Sequence, residues 1–284
     1  MNSNMKLVKW VAGYFALGCA ALLQSSPSHA GDADDVARFL AGKSCTRCDL
    51  RYENAARLVV HGADLRGAYM FNINLSNARL LGAKMQSSNL EDANLERADL
   101  TRANLSRAIL SSASLAGATL IASTLQQVVA IQTNFDAADL SNADLTTADL
   151  RGSKFIFAFA ENAIFKSADL RGSNFSKARL SGATFTGANL TGADFSAARL
   201  PSADMRRVQM SKINLSNANL AHADLTGADL KNANLQNADL TGVNLSKANL
   251  QNADLTGAEM GSALLSGTNT CGAKLPPGLT PSPC

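Results

Sequence analysis

The chain has 284 residues, of which 46% are hydrophobic but only 5% aromatic. A globular core of this size would use more large rings and β-branched side chains, so the composition argues against an ordinary globular domain. The formal net charge of +3 gives no electrostatic reason to expect nucleic acid or an anionic membrane as a partner.

Residues 1–30 have the composition of a secretory signal peptide. Lys6 and Lys9 make a positive n-region, the apolar run 11–23 follows, and a small-x-small cleavage site ends at Ala30. The apolar run is shorter than the roughly 20 residues that span a bilayer as a helix. We therefore expect the chain to be exported to the periplasm or another extracytoplasmic compartment and cleaved after Ala30.

Cys19 lies in the apolar run and offers lipidation as an alternative to simple cleavage. The residue three positions before it is Ala16, whereas a bulky apolar residue is usual there, so the sequence favours cleavage. Removal of residues 1–30 takes away two lysines and leaves a formal charge of +1. After such cleavage we expect no association with a membrane.

The next segment, residues 31–62, is expected to form an N-terminal cap. Asp34 and Asp35 precede an amphipathic pattern that includes Val36 and Phe39, and acids favour the first turn of a helix. The pattern predicts a short capping helix over 33–42, followed by an imperfect repeat.

A five-residue repeat fills residues 63–265. From Leu65 to Leu265, 39 of the 41 residues at intervals of five are Leu, Phe or Met, and the exceptions are Ala130 and Ala160. Two positions earlier, Ala occurs 31 times. A period of five fits neither an α-helix, nor a heptad coiled coil, nor a plain strand. It fits a chain that turns a corner in every repeat, with two apolar residues inside and three polar positions outside.

Runs such as Ala218-Asn219-Leu220 and Ala223-Asp224-Leu225 resemble the A(D/N)LXX units of pentapeptide-repeat proteins. The resemblance implies an all-β solenoid, a right-handed quadrilateral β-helix of about ten coils with four pentapeptides each. Six phenylalanines independently support a coil of 20 residues, because their spacing would stack them in successive coils as two sets: Phe135, Phe155, Phe175 and Phe195, and Phe165 with Phe185.

The repeat phase is lost after Leu265, and the proline-rich residues 266–284 are expected to form an irregular tail over the last coil. Four cysteines remain after signal cleavage, one pair at each end: Cys45, Cys48, Cys271 and Cys284. The rod would separate the two pairs by tens of ångströms, whereas disulfide Cα atoms lie about 4.4–6.8 Å apart. Since export favours oxidation, we expect two local disulfides, Cys45–Cys48 and Cys271–Cys284.

The Cys45-x-x-Cys48 motif has two alternative interpretations. A thiol oxidoreductase would need the first cysteine at a helix N-terminus in a βαβ setting, but Cys45 follows the predicted helix. A structural zinc site would need four ligands, and Cys45, Cys48 and His61 supply at most three. We expect neither a metal nor a cofactor.

Candidate catalytic groups are sparse in the repeats. His61 and His222 lie near opposite ends, and no Ser/His/Asp or Cys/His arrangement can be assembled around them. Both Asp and Asn occur in the slot before the repeat centres, so the repeat does not require an ionised side chain there. The expected function is that of a non-enzymatic structural or protein-interaction module with an unknown protein partner.

Two places put apolar residues in slots that normally face water: Val129, Ile131, Ile156, Phe157 and Phe159. They could form an exposed surface for a partner or for a homodimer. Alternatively, the coil could bulge and bury these side chains, since the nearby repeat centres are the small residues Ala130 and Ala160. A 20-residue coil distributes the five residues over three faces, which weakens the idea of a single patch.

The resemblance also implies an alternative function, because some cytoplasmic members of the family bind DNA gyrase by mimicking DNA with an acidic surface. This chain is expected to be exported and is nearly neutral. Arg151 and Arg171 share a face with Asp149 and Asp169, which would interrupt a stripe of phosphate-like charge. Gyrase binding is therefore the lesser alternative, and no nucleic acid is expected as a partner.

Overall fold

The computed structural model describes residues 31–284, so the predicted signal peptide and Cys19 lie outside the described part. The described chain begins with a short helix, α1 (Ala33–Leu40), and continues as a β-solenoid. The side chain of Asp32 caps α1 by accepting hydrogen bonds from the backbone N–H groups of Asp34 and Asp35. None of the described helical structure is long and apolar enough to cross a membrane.

Parallel backbone bridges join each residue in the slot before a repeat centre to the residue 20 positions later. One turn of the solenoid therefore takes four pentapeptides, which is the turn that the phenylalanine spacing predicts. The bridged residues form four ladders, one on each side of the rod. We number these faces in chain order: face 1 runs from Asp49 to Asn269, face 2 from Asn54 to Lys274, face 3 from Val59 to Glu259 and face 4 from Asp64 to Leu264.

The regular solenoid extends beyond the predicted boundaries at both ends. Bridging starts at Asp49, inside the predicted cap, and ends at Lys274, inside the predicted tail. The boundaries at 63 and 265 are therefore corrected, and face 1 alone carries twelve ladder residues. The reason is that the ladder uses backbone groups, which an imperfect repeat still supplies: the N–H of Leu50 donates to the carbonyl of Tyr69 at 2.8 Å.

The interior is filled by the repeat centres and by the small residues two positions before them, nearly all of which are fully buried. The predicted phenylalanine stacks are confirmed. Phe155 stacks on Phe135 and Phe175 with ring centroids 4.8 and 4.2 Å away, and Phe165 stacks on Phe185 at 4.9 Å. The two stacks meet edge to face at the centre of the rod, with the rings of Phe155 and Phe165 at 89°.

The corners explain the polar part of the repeat. The second residue of each turn adopts a left-handed backbone, such as Asn217 at φ 58°. The Asn or Asp in the ladder slot accepts a hydrogen bond from the N–H two residues later: Asn74 from Ser76 at 3.0 Å, and Asp224 from Thr226 at 2.9 Å. Either side chain can make this turn, which is why Asp and Asn interchange.

Candidate interaction surface

The apolar residues that interrupt the polar pattern remain outside the solenoid. Val129, Phe157 and Phe159 expose 36%, 54% and 39% of their surface, whereas Ile131 and Ile156 are half-buried. A surface of this kind is unusual on a rod whose other outward positions are mostly small or polar.

The alternative of a local bulge is wrong. The ladder continues through both segments: the N–H of Val129 donates to the carbonyl of Ala108 at 3.0 Å, and the N–H of Phe159 donates to that of Ala138 at 2.9 Å. The centre at Ala160 remains fully buried. A smaller centre therefore leaves the backbone path unchanged, because the path is held by the hydrogen bonds between coils.

Val129 belongs to a small apolar group on face 1. Its bridge partner in the preceding coil is Ile109, which exposes 39% of its surface, and Ile131 lies at the next corner, between faces 1 and 2. Ile109 was not among the exposed apolar residues predicted from the sequence. The 20-residue offset from Val129 was the signal that could have found it.

Phe157 and Phe159 form a second, aromatic surface around the corner between faces 2 and 3. Each ring is covered on one side by a cation from the next coil: Lys177 Nζ lies 5.1 Å from the ring centroid of Phe157, and Arg179 Cζ lies 5.3 Å from that of Phe159. Arg179 Nε also pairs with Glu161 Oε1 at 2.8 Å. These cation–π contacts hold each exposed ring against a cation of the next coil. We call this the Phe157/Phe159 surface.

The backbone at Phe157 is strained. Its φ is 58°, in the left-handed region that bulky L-residues avoid at a cost of roughly 1–2 kcal/mol. The same corner position is occupied by glycine in other coils, for example Gly117 and Gly257. Most corners carry other residues in the same conformation, among them Tyr52 and Arg57, so the fold imposes it, and the ring of Phe157 is a candidate for contact with a partner because it is exposed.

Arginines neutralise acids on face 1. Arg151 makes two hydrogen bonds to the carboxylate of Asp149, at 2.8 and 2.7 Å, and in the next coil Arg171 pairs with Asp169 at 2.6 Å. Arg151 also approaches Asp169 to 3.8 Å. The hydrogen bond from Arg171 lowers the pKa of Asp169. Charges thus alternate along this part of face 1, which argues against a DNA-like stripe there.

The N-terminal cysteines join α1 to the solenoid. Cys45 and Cys48 are disulfide-bonded with Cα atoms 5.2 Å apart, and they expose 0% and 1% of their surface. Asp35 on α1 accepts a hydrogen bond from the N–H of Asp49 at 3.0 Å, and its carboxylate and the two Sγ atoms lie within 4.8 Å of one another. A buried disulfide at this junction suits a structural role better than exchange with a protein substrate.

His61, considered above as a third ligand in the rejected zinc alternative, is not part of this cluster, where Asp35 lies instead. Sulfur atoms joined in a disulfide offer no thiolate to a metal. His61 and His222 both lie at the corner between faces 3 and 4, separated by eight coils, or about 38 Å at roughly 4.8 Å per coil. They cannot act together on one substrate.

The C-terminal tail is tied to the last coil. Cys271 and Cys284 are disulfide-bonded with Cα atoms 4.9 Å apart. Three hydrogen bonds between Thr270 and Ser282 accompany the disulfide: the N–H of Ser282 donates to Thr270 Oγ1 at 2.7 Å, the N–H of Thr270 donates to Ser282 Oγ at 2.9 Å, and the hydroxyl of Thr270 donates to Ser282 Oγ at 3.1 Å. The tail is therefore held next to the end of the repeats.

Two family models match most of the repeat. A model of a pentapeptide repeat region matches residues 160–235, and a model of eight pentapeptide repeats matches four overlapping stretches, 60–97, 88–127, 113–152 and 131–166, and a separate one, 233–269. None of the curated proteins compared with the chain matches it.

Solved structures of other pentapeptide repeat proteins are similar. HetL, involved in heterocyst differentiation regulation in the cyanobacterium Nostoc sp. strain PCC 7120, is 27% identical over 88% of this chain and 99% of its own, with a TM-score of 0.45. QnrB1, a plasmid-mediated fluoroquinolone resistance protein, is 21% identical over 78% of this chain and 91% of its own, with a TM-score of 0.46. A protein of the Arabidopsis thaliana thylakoid lumen is 36% identical over 35% of this chain and 66% of its own, with a TM-score of 0.19.

The repeat centres, the 20-residue turn and both family models agree along the solenoid. The chain belongs to the pentapeptide-repeat family.

Proposed function

We propose that this protein is an exported, non-enzymatic rod, a right-handed quadrilateral β-helix that serves as a structural or protein-interaction module outside the cytoplasm. The observation that carries the proposal is the Phe157/Phe159 surface, two exposed rings on a rod with a polar exterior. A surface of this kind is suited to binding another protein, since aromatic residues dominate the centres of protein interfaces.

Three features support export. The signal-like residues 1–30 precede the fold, and the chain offers a cysteine pair at each end of the rod. Both pairs have disulfide geometry, and such bonds persist in oxidising compartments. They would tie down α1 and the C-terminal tail, the two ends where a solenoid exposes its core.

The proposal is tested by the intact mass of the protein recovered from the extracytoplasmic fraction, with alkylation before and after reduction. We expect the mass of residues 31–284, no alkylation before reduction, and four alkylated thiols after it. An uncleaved chain with free thiols would contradict export and would favour the intracellular alternative, gyrase binding. Catalytic turnover by the purified chain that is lost on Cys45→Ser would contradict the non-enzymatic part and favour a thiol oxidoreductase.

A further inference from the structure

Face 3 has a charge pattern that sets it apart from the other faces. Of its eleven ladder residues seven are charged, with both signs present, and Phe159 is the middle one of the eleven. Face 1, in contrast, has no basic residue in its ladder. Face 3 thus combines an exposed ring at its midpoint with charges of both signs on either side.

We propose that face 3 is the contact surface of an antiparallel homodimer, in which Phe157 and Phe159 meet the same two residues of a second copy at a two-fold axis. The axis lies in the plane of face 3, perpendicular to the long axis of the rod, at the level of Phe159. This inference rests on the proposed function, because it names the partner of the same surface. An interface with such an axis is isologous, so every contact away from the axis occurs twice.

The ladder charges are self-complementary about this axis. A coil that precedes Phe159 in one copy faces the coil that follows Phe159 by the same number of coils in the second copy. One coil from the axis Arg179 therefore faces Asp139, and four coils from the axis Arg79 faces Asp239. Both are pairs of opposite charge, which favour this register and this antiparallel orientation.

In the coils between these pairs, no residues of like charge face each other. Two coils from the axis Arg199 faces Thr119, and three coils from it Asp99 faces Asn219. No like charges are therefore opposed along the ladder within four coils of the axis. An axis one coil further along, at Arg179, would instead bring Asp99 against Glu259 and leave the phenylalanines without their counterparts.

Of the four charged groups in these pairs, Arg79 and Asp139 form no ion pair within residues 31–284, whereas Arg179 and Asp239 would keep their present partners and add the new contact. Arg79 and Arg199 are exposed, and the carboxylate of Asp139 uses Oδ1 alone for its bonds to Ser141. At the edge of face 3, Glu161 would face its own copy. Arg179 lies 2.8 Å from that carboxylate and neutralises it, which removes the one like-charge contact near the axis.

Charge reversal tests which residues face each other in the dimer. In Asp139→Arg, two arginines are opposed at each of the two symmetric contacts, and in Arg179→Glu two acids are opposed. Each variant alone should dimerise at least about tenfold more weakly than the wild type. When the two variants are mixed, both contacts regain opposite charges, so a heterodimer should form.

Sedimentation equilibrium of the mature, oxidised chain measures this directly, over about 1–300 μM because a narrow, flat face corresponds to the small end of specific interfaces. Circular dichroism of each variant checks that it is folded. Lys247→Glu, an exposed reversal at the corner between faces 4 and 1, should leave the association unchanged. A wild type that stays monomeric throughout, or a mixture that associates no better than the separate variants, would overturn the proposal.

The apolar centre has its own matched control. Phe159→Ser should weaken the dimer at least about tenfold, whereas Ile164→Ser, at the ladder slot of face 4 with 37% exposure, should not. Equal effects of the two substitutions would contradict a specific contact on face 3.

Photo-crosslinking in cells separates this inference from the proposed function. A benzoyl-phenylalanine placed at position 159 should give an adduct of two copies of the chain. An adduct with one defined different protein would preserve the proposed function and overturn the homodimer. The absence of any adduct above that of a position-164 control would contradict both.

Discussion

The rings of Phe155 and Phe175 stack in successive coils with centroids 4.2 Å apart and planes 6° from parallel. Phe155 also stacks on Phe135 and contacts the edge of Phe165, so it has three aromatic neighbours, whereas Phe135 at the end of the stack has Phe155 alone among the described residues. The middle of the rod therefore has a denser aromatic core than its ends, where Ala and Leu suffice.

This difference predicts unequal costs for two chemically identical substitutions. Phe155→Ala should lower the free energy of unfolding by about 3–5 kcal/mol, and Phe135→Ala by about 1–3 kcal/mol less, because it loses two ring pairs fewer and each pair contributes roughly 0.5–1.5 kcal/mol beyond its buried area. Urea unfolding of both variants measures the difference. Equal losses would mean that buried volume alone sets the cost.

The left-handed backbone of Phe157 leads to a second prediction. Phe157→Asn and Phe157→Leu both remove the ring and its contact with Lys177, but Asn tolerates a φ of 58° and Leu does not. The Asn variant should therefore be more stable than the Leu variant by about 1 kcal/mol. Thermal or urea unfolding of the pair provides the measurement.

The control for this comparison is the same pair of substitutions at Phe159, in the ladder slot. Its φ is not positive, so the backbone should not favour Asn there. If the advantage of Asn were as large at 159 as at 157, surface polarity rather than backbone strain would be the cause.

The solenoid could be predicted from the sequence because every pentapeptide repeats one backbone conformation, and the spacing of Phe135 and Phe155 revealed the length of the turn. The ends were harder to predict, since the ladder is made of backbone groups that leave no trace in side chains. The position of Asp35 beside Cys45 and Cys48 depends on how α1 docks, which no local pattern encodes. The contact of Lys177 with Phe157 was predictable in principle from the 20-residue offset.

The ion pair of Asp204 and Arg206 gives a prediction about pH. A side-chain hydrogen bond from Arg206, 2.7 Å long, is the main cause that lowers the pKa of Asp204 from 3.8 to about 2, and Thr186 adds a further bond. The folded-state pKa lies below the ordinary value, so the pair stabilises the fold above about pH 4. This stabilisation is lost as the pH falls through about 2.

The measurement is an NMR titration of the Asp204 carboxyl group. Arg206→Gln should raise its pKa part of the way towards 3.8, with the bond from Thr186 holding it below that value. Arg151→Gln removes the same kind of pair on a different face and should leave Asp204 unchanged. An unshifted pKa in Arg206→Gln would show that the arginine is not the cause.

The C-terminal disulfide leads to a prediction about the last coil. The replacement of Cys271 and Cys284 by Ser opens a loop with a sequence separation of 13, for which chain entropy corresponds to about 3 kcal/mol. The three hydrogen bonds between Thr270 and Ser282 would then have to hold the tail without a covalent link. The tail should detach, become sensitive to protease and expose the end of the core.

Hydrogen exchange measures the consequence at the N–H of Lys274, which donates to the carbonyl of Ala253 at 2.9 Å. In the double Ser variant this amide should exchange faster, while amides in the middle of the rod keep their protection, because each coil contacts only its neighbours. The matched control replaces Cys45 and Cys48, at the opposite end, and should leave Lys274 protected. Unchanged exchange at Lys274 in the first variant would mean that the last coil is stable without its tail, so that the disulfide would have to act on some other part of the chain.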